Sequence, residues 1–151
     1  MATHLQAGQK APLFSAKTET GETVSLKDYR GKKVVLYFYP EDDTPTCTVQ
    51  ACNLRDNYVV LKKAGYEVIG ISPNDATSHQ KFKNKYSLPF TLLADGQRRI
   101  IEQYGVWGEK NLYGRKYQGL HRTTFLIDEN GVIEKIILRP RSKMHAEEIL
   151  K

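Results

Sequence analysis

Cysteine is scarce in this chain: among 151 residues only Cys47 and Cys52 carry a thiol. A small secreted domain held together by disulfides would usually carry more. A structural zinc site wants four ligands at spacings such as C-x-x-C, and the four histidines are scattered. No metal and no cofactor is expected. Long apolar runs are missing too, and none approaches the roughly 18 residues needed to span a bilayer. Residues 1–12 are polar and lack the apolar centre of a signal peptide. The expectation is a cytoplasmic protein, or the mature form of one whose targeting segment is gone, with no membrane partner. Repeats, low-complexity tracts and a proline-rich linker are also absent, so residues 1–151 read as a single domain long enough for a genuine core.

Acidic residues are outnumbered, 17 against 23 basic, for a net charge of +6. The densest basic patches, Arg98-Arg99 and residues 139–143, have no interleaved aromatics and no nucleic-acid-binding motif. They read as a solvated basic face that can attract acidic partners or solutes over a distance, and nucleic acid is not expected.

What is present is an ordered series of apolar segments. Residues 14–18 and 23–26 flank the polar turn Glu19-Thr20-Gly21-Glu22 and predict a short hairpin. Residues 34–39 form a continuous apolar and aromatic run bounded by Gly31-Lys32-Lys33 and Pro40, the profile of a buried central strand. Residues 67–72, 90–95, 123–128 and 132–138 repeat it, with Asn130-Gly131 as a turn signal between the last two. Helices are predicted over 44–64, closed by Gly65, and over 75–86, 97–104 and 145–151. This order implies an α/β fold, a mixed central sheet with helices on both faces and an N-terminal β-hairpin. It is the order of a thioredoxin-like fold.

The informative stretch is 40–52, Pro-Glu-Asp-Asp-Thr-Pro-Thr-Cys-Thr-Val-Gln-Ala-Cys, where a central strand hands over to the longest helix. Ligands of open α/β sheets bind at the carboxyl ends of strands. Thr44 suits the N-cap and Pro45 the first helical position, which places Cys47 within the first turn. Unpaired N–H groups and the helix dipole favour an anion there, and the thiolate is the nucleophilic form of cysteine. A reactive thiol is one reading. Two small buried apolar residues at an ordinary capped helix start is the other. In a regular helix a five-residue spacing puts the two Cα atoms about 8.7 Å apart, whereas disulfides rarely exceed about 6.8 Å. The cysteines cannot join while the helix is intact, and β-branched Thr44, Thr46, Thr48 and Val49 make its start easy to loosen.

Pro40, Thr44 and Cys47 stand as P-x-x-x-T-x-x-C, and in this the chain resembles the peroxiredoxins. Cys52, five residues on, resembles the arrangement of the peroxiredoxin Q group, also called bacterioferritin comigratory protein. The similarity runs nearly end to end, through residues 34–40, 68–72, 104–110 and 122–128. The resemblance implies a thiol peroxidase acting on hydrogen peroxide and organic hydroperoxides. It implies Cys47 as the peroxidatic and Cys52 as the resolving cysteine, joined in an intramolecular disulfide that thioredoxin or a similar dithiol reduces. It also implies that Thr44 hydrogen-bonds the peroxide, that Pro40 shields the thiolate from water, and that Arg122 holds thiolate and peroxide. The resemblance favours a monomer, with dimers possible in the wider superfamily. Thr46 and Gln50 depart from the glycine and glutamate often found in this group. Thr46 is expected to stiffen the turn and Gln50 to remove a negative charge near the site, neither touching the core chemistry.

A size comparison shows why such helpers are needed. An ordinary thiol of pKa about 8.5 is roughly 3% ionised at pH 7, so full ionisation gains only about 30-fold. Enzymes commonly reach about 10⁶-fold or more. The remainder falls to groups aimed at the breaking O–O bond. Two alternatives stay open: a thiol–disulfide oxidoreductase, which usually wants the absent C-x-x-C, and a redox-sensing binding module. Trp107 reads as pocket wall, docking surface or core, and His121 as a strand-end residue or an acid–base group. Asp42 and Asp43 read as loop residues that favour the helix dipole, and His4, His79 and His145 give no signal.

Overall fold

Strand β3 (Lys33–Phe38) is buried over five consecutive positions, which demands a packed layer on each of its faces. Val34, Leu36 and Phe38 enter one core, and Val35, Tyr37 and the following Tyr39 enter the other. The computed structural model, which describes residues 3–151, supplies both layers. Beside β3 run β4 (Tyr66–Ser72), β5 (Thr91–Ala94), β8 (Thr123–Ile127) and β9 (Ile133–Leu138), and the N-terminal hairpin is β1 (Ser15–Thr18) and β2 (Thr23–Ser25). These seven form one sheet in the order β2-β1-β5-β4-β3-β8-β9. Strands β3, β4 and β5 are parallel and the remaining pairs antiparallel. Helices α1 (Pro45–Asp56), α2 (Tyr58–Lys63), α3 (Ala76–Tyr86) and α5 (His145–Leu150) cover the Tyr37 face through Ala51, Leu54, Leu61, Phe82 and Ile149. Helix α4 (Arg99–Gln103) covers the other through Ile100 and Ile101, with Tyr104 just beyond it. The mixed sheet, the helices on both faces and the N-terminal hairpin are those predicted.

Two features differ from the sequence prediction. The single helix expected over 44–64 is two, broken at Asn57, whose backbone leaves the helical range (φ −109°, ψ 11°). There the Asn57 side-chain amide donates to the Asn53 carbonyl at 2.8 Å, competing with the helical backbone bond. The chain also makes an unpredicted two-stranded ribbon, β6 (Trp107–Leu112) with β7 (Arg115–Leu120). Its strands are mostly exposed, so no buried face imposes alternation on the sequence. Its tight turn runs through Tyr113 and Gly114, both at positive φ, without the usual Asn-Gly signal.

Candidate active site at the start of helix α1

Beyond β3 the chain leaves the sheet at Pro40 and crosses a turn to α1. Thr44 occupies the N-cap with extended backbone and Pro45 the first helical position, so Cys47 is third. The Thr44 side chain makes no cap bond; its hydroxyl donates to the Glu41 carbonyl at 3.1 Å instead. This is a correction to the expected capping, and its cause is the tight turn, in which Asp43 has φ 57°. The first-turn N–H groups, that of Cys47 among them, therefore have no acceptor from the cap and remain open to an anion.

Asp42 and Asp43 do more than favour a dipole. Asp42 is buried, and its carboxylate oxygens accept from the Tyr39 hydroxyl at 2.6 Å and the Ser78 hydroxyl at 2.7 Å. Oδ2 also faces His79 Nδ1 at 2.7 Å, while His79 Nε2 lies 2.9 Å from the Leu93 carbonyl. A carbonyl only accepts, so Nε2 donates to it, and Nδ1 faces the Asp42 carboxylate on the other side of the ring. Asp43 binds Lys85 and Tyr86 at 2.8 and 2.7 Å, and these bonds hold its carboxyl below the usual range. The turn before Cys47 is thus tied at two points to α3.

Cys47 is 1% exposed and packs among Tyr37, Tyr39 and Ala51. Arg122, just before β8, reaches it across 75 residues of sequence, and its Nη2 donates to Cys47 Sγ at 3.3 Å. Strands β3 and β8 are paired with Phe38 opposite Thr123, which puts Arg122 level with the end of β3. Cys52 is a free, half-buried thiol further along α1. Pro40 is half-buried at the exit from β3. Of the five residues singled out from the sequence, the structure joins Cys47 to Arg122 directly. It places Thr44, Pro40 and Cys52 on the same turn and helix.

Further side chains surround this pair. Arg122 Nη1 donates to Gln50 Oε1 at 2.6 Å, so the residue expected only to remove a charge near the site touches the arginine directly. Gln50 in turn meets His145. From the ribbon, Lys110 donates to the Leu120 carbonyl at 2.9 Å, and burial and the Arg122 charge lower its pKa. The Tyr37 hydroxyl is buried without a partner among the described residues, and burial followed by the charge of Cys47 pushes its ionisation well up. Nothing in the sequence by itself ties Gln50 or Lys110 to Arg122. His121 donates from Nε2 to the Glu109 carbonyl at 3.0 Å, pinning the ribbon, and burial lowers its pKa. Trp107 packs on the core opposite to Cys47, with the Arg98 guanidinium 4.3 Å from its ring. Among the described residues no group of three or more His, Cys, Asp or Glu is arranged to hold a metal ion, and no helix is long and apolar enough to cross a membrane.

Residues 7–136 match the model of the AhpC/TSA family. The chain is 52% identical over 146 residues to the putative peroxiredoxin bcp of Coxiella burnetii, with 97% of each chain covered. It is 47% identical to peroxiredoxin Bcp of Escherichia coli K12, covering 97% of this chain and 94% of that one. Among solved structures it is similar to the Xanthomonas campestris bacterioferritin comigratory protein, studied as trapped intermediate/ligand complexes for its alkyl peroxide reduction activity. That match has a TM-score of 0.88 at 28% identity, over 96% of this chain and 95% of the other. With a thiol and a guanidinium in contact where strand meets helix, and with relatives matched over nearly their whole length, the chain belongs to the AhpC/TSA family, among its Bcp peroxiredoxins.

Proposed function

We propose that this thiol peroxidase reduces hydrogen peroxide and organic hydroperoxides through Cys47 and closes a Cys47–Cys52 disulfide in each cycle. The Cys47 thiolate attacks the terminal peroxide oxygen, the O–O bond breaks, and the sulfur is oxidised to sulfenic acid as water or an alcohol leaves. Arg122 and the first-turn N–H groups offer charge and donors to the oxygens as negative charge moves onto the leaving one. In this reading the Thr44 hydroxyl, which donates to the Glu41 carbonyl, turns to hydrogen-bond the peroxide, and Pro40 shields the thiolate from water. The first turns of α1 then unwind, the Cys52 thiol displaces water from the sulfenic acid, and the disulfide forms. Thioredoxin or a similar dithiol returns both thiols and is itself oxidised. In this reading the 151 residues act as one domain, as a monomer, in the cytoplasm. The scarcity of cysteine and the lack of a membrane-crossing helix among the described residues support that placement.

One observation carries the reading: the Arg122 guanidinium on a thiol at the open start of a helix, 3.3 Å from sulfur. Cys47→Ser is expected to abolish peroxide consumption, and a variant still working at the parent rate would end the assignment. Cys52→Ser is expected to react once with peroxide and then stall with thioredoxin. Sustained turnover would mean that another thiol resolves the intermediate.

A further inference from the structure

The Arg122 side chain has a second attachment that peroxide chemistry does not account for. Its Nη1 donates to Gln50 Oε1 at 2.6 Å. An amide so engaged turns its NH2 the other way, and Gln50 Nε2 lies 3.2 Å from His145 Nδ1, 95 residues on in α5. An amide nitrogen only donates, so Nδ1 accepts and the ring proton sits on Nε2, 2.7 Å from the Thr124 hydroxyl. Gln50, His145 and Thr124 are each 0% exposed. The Tyr37 ring stands edge-on to the imidazole, 5.6 Å between centroids at 77°, and fixes its plane. Burial and the Arg122 charge hold the His145 pKa down at about 3, so the ring is neutral and able to accept at working pH. Among the described residues no carboxylate pairs with Arg122.

These contacts lock one another. The other tautomer, with hydrogen on Nδ1, would face the Gln50 NH2 donor to donor. A flipped amide would then present NH2 to the guanidinium, again donor to donor. We propose that His145 is a positioning residue for the peroxide step, acting through Gln50 to hold the Arg122 guanidinium with one N–H on the Cys47 sulfur and its charge uncompensated. The inference rests on the peroxidase reading above and extends the machinery to the C-terminal helix.

The test compares His145→Leu, which removes the acceptor, with His145→Asn, whose side-chain oxygen falls near Nδ1. Stopped-flow rates with hydrogen peroxide are followed from pH 5 to 9. His145→Leu is expected to slow the peroxide step by about tenfold or more, as misplacement of a catalytic group does, and to move the midpoint of its pH profile upward. His145→Asn should recover most of both. A folded His145→Leu with parent rate and midpoint, or equal losses in both variants, would overturn the proposal. Nitrogen-15 NMR of the unmodified protein gives a second test that does not depend on a variant folding. An Nε2–H tautomer unchanged from pH 5 to 8 is expected, and an Nδ1–H or titrating ring would also overturn it. If the unmodified enzyme consumes no peroxide, the peroxidase reading itself fails. If it does and the variants do not differ, only the role of His145 fails.

Discussion

His79 and His145 are both fully buried and both have partners on their two ring nitrogens, yet they face opposite chemistry. His79 sits between a carboxylate and a carbonyl, partners that only accept, and so holds the turn before Cys47 to α3 and β5. His145 sits between an amide NH2, which only donates, and a hydroxyl, and so serves as a neutral acceptor behind Arg122. Burial does not decide what a histidine does. The proton demand of its partners does, and here it divides the site into a scaffold that shapes the loop and a linkage that aims the guanidinium.

The scaffold side should break most severely. Asp42→Ala strips three donors of one buried acceptor, and chemical denaturation at pH 7 should show a loss of about 3–5 kcal/mol, as when one partner of a buried pair is removed. A loss under about 1 kcal/mol, the value of a surface pair, would deny Asp42 its structural part. On the other side, Arg122→Ala should leave the fold largely intact and slow the peroxide step by about 10²–10³-fold, the usual effect of deleting a transition-state donor. Equal stopped-flow rates would remove Arg122 from the chemistry.

Acid sharpens the comparison further. The His145 pKa is depressed from 6.5 to about 3 in the folded state, so between these values the unfolded chain binds the extra proton. Its contribution to stability is complete above pH 6.5 and is lost as pH falls towards 3, with a limiting slope of about 1.4 kcal/mol per pH unit. Urea midpoints from pH 7 to 4 should therefore fall, and less steeply in His145→Asn. Parallel curves would mean that the ring does not stay neutral. The smallest effect belongs to Asn53, which joins α1 to α5 and the residues just before it, donating to the Lys143 carbonyl at 2.9 Å and accepting from the Ala146 N–H at 2.7 Å. Asn53→Ala should cost about 1–2 kcal/mol and speed disulfide closure after oxidation, because α1 is released. Slower closure would mean that unwinding does not limit that step.

Much of this site is local and was legible as such. The apolar run of β3, Gly65 after α2 and the Thr44-Pro45 helix start each follow from a few adjacent residues. Cys47 at the third helical position follows from them. Arg122 was reached only through family resemblance, since nothing around it marks it as a partner of Cys47. The β6–β7 ribbon escaped because its exposed strands carry no buried face, and the break at Asn57 because a lone asparagine, without glycine or proline beside it, is a weak stop. Gln50 read as a lost charge and His145 as silent, because the value of either lies in a neighbour 95 residues away.

By itself the sequence determined where a thiol meets a helix start and in what order strands and helices follow, since backbone geometry and apolar periodicity act over a few residues. Which donors and acceptors then face one another was decided only when β8 paired with β3 and α5 settled on α1. Hydrogen bonds extend over about 3 Å, and a linear chain does not say which of its distant groups will be brought that close.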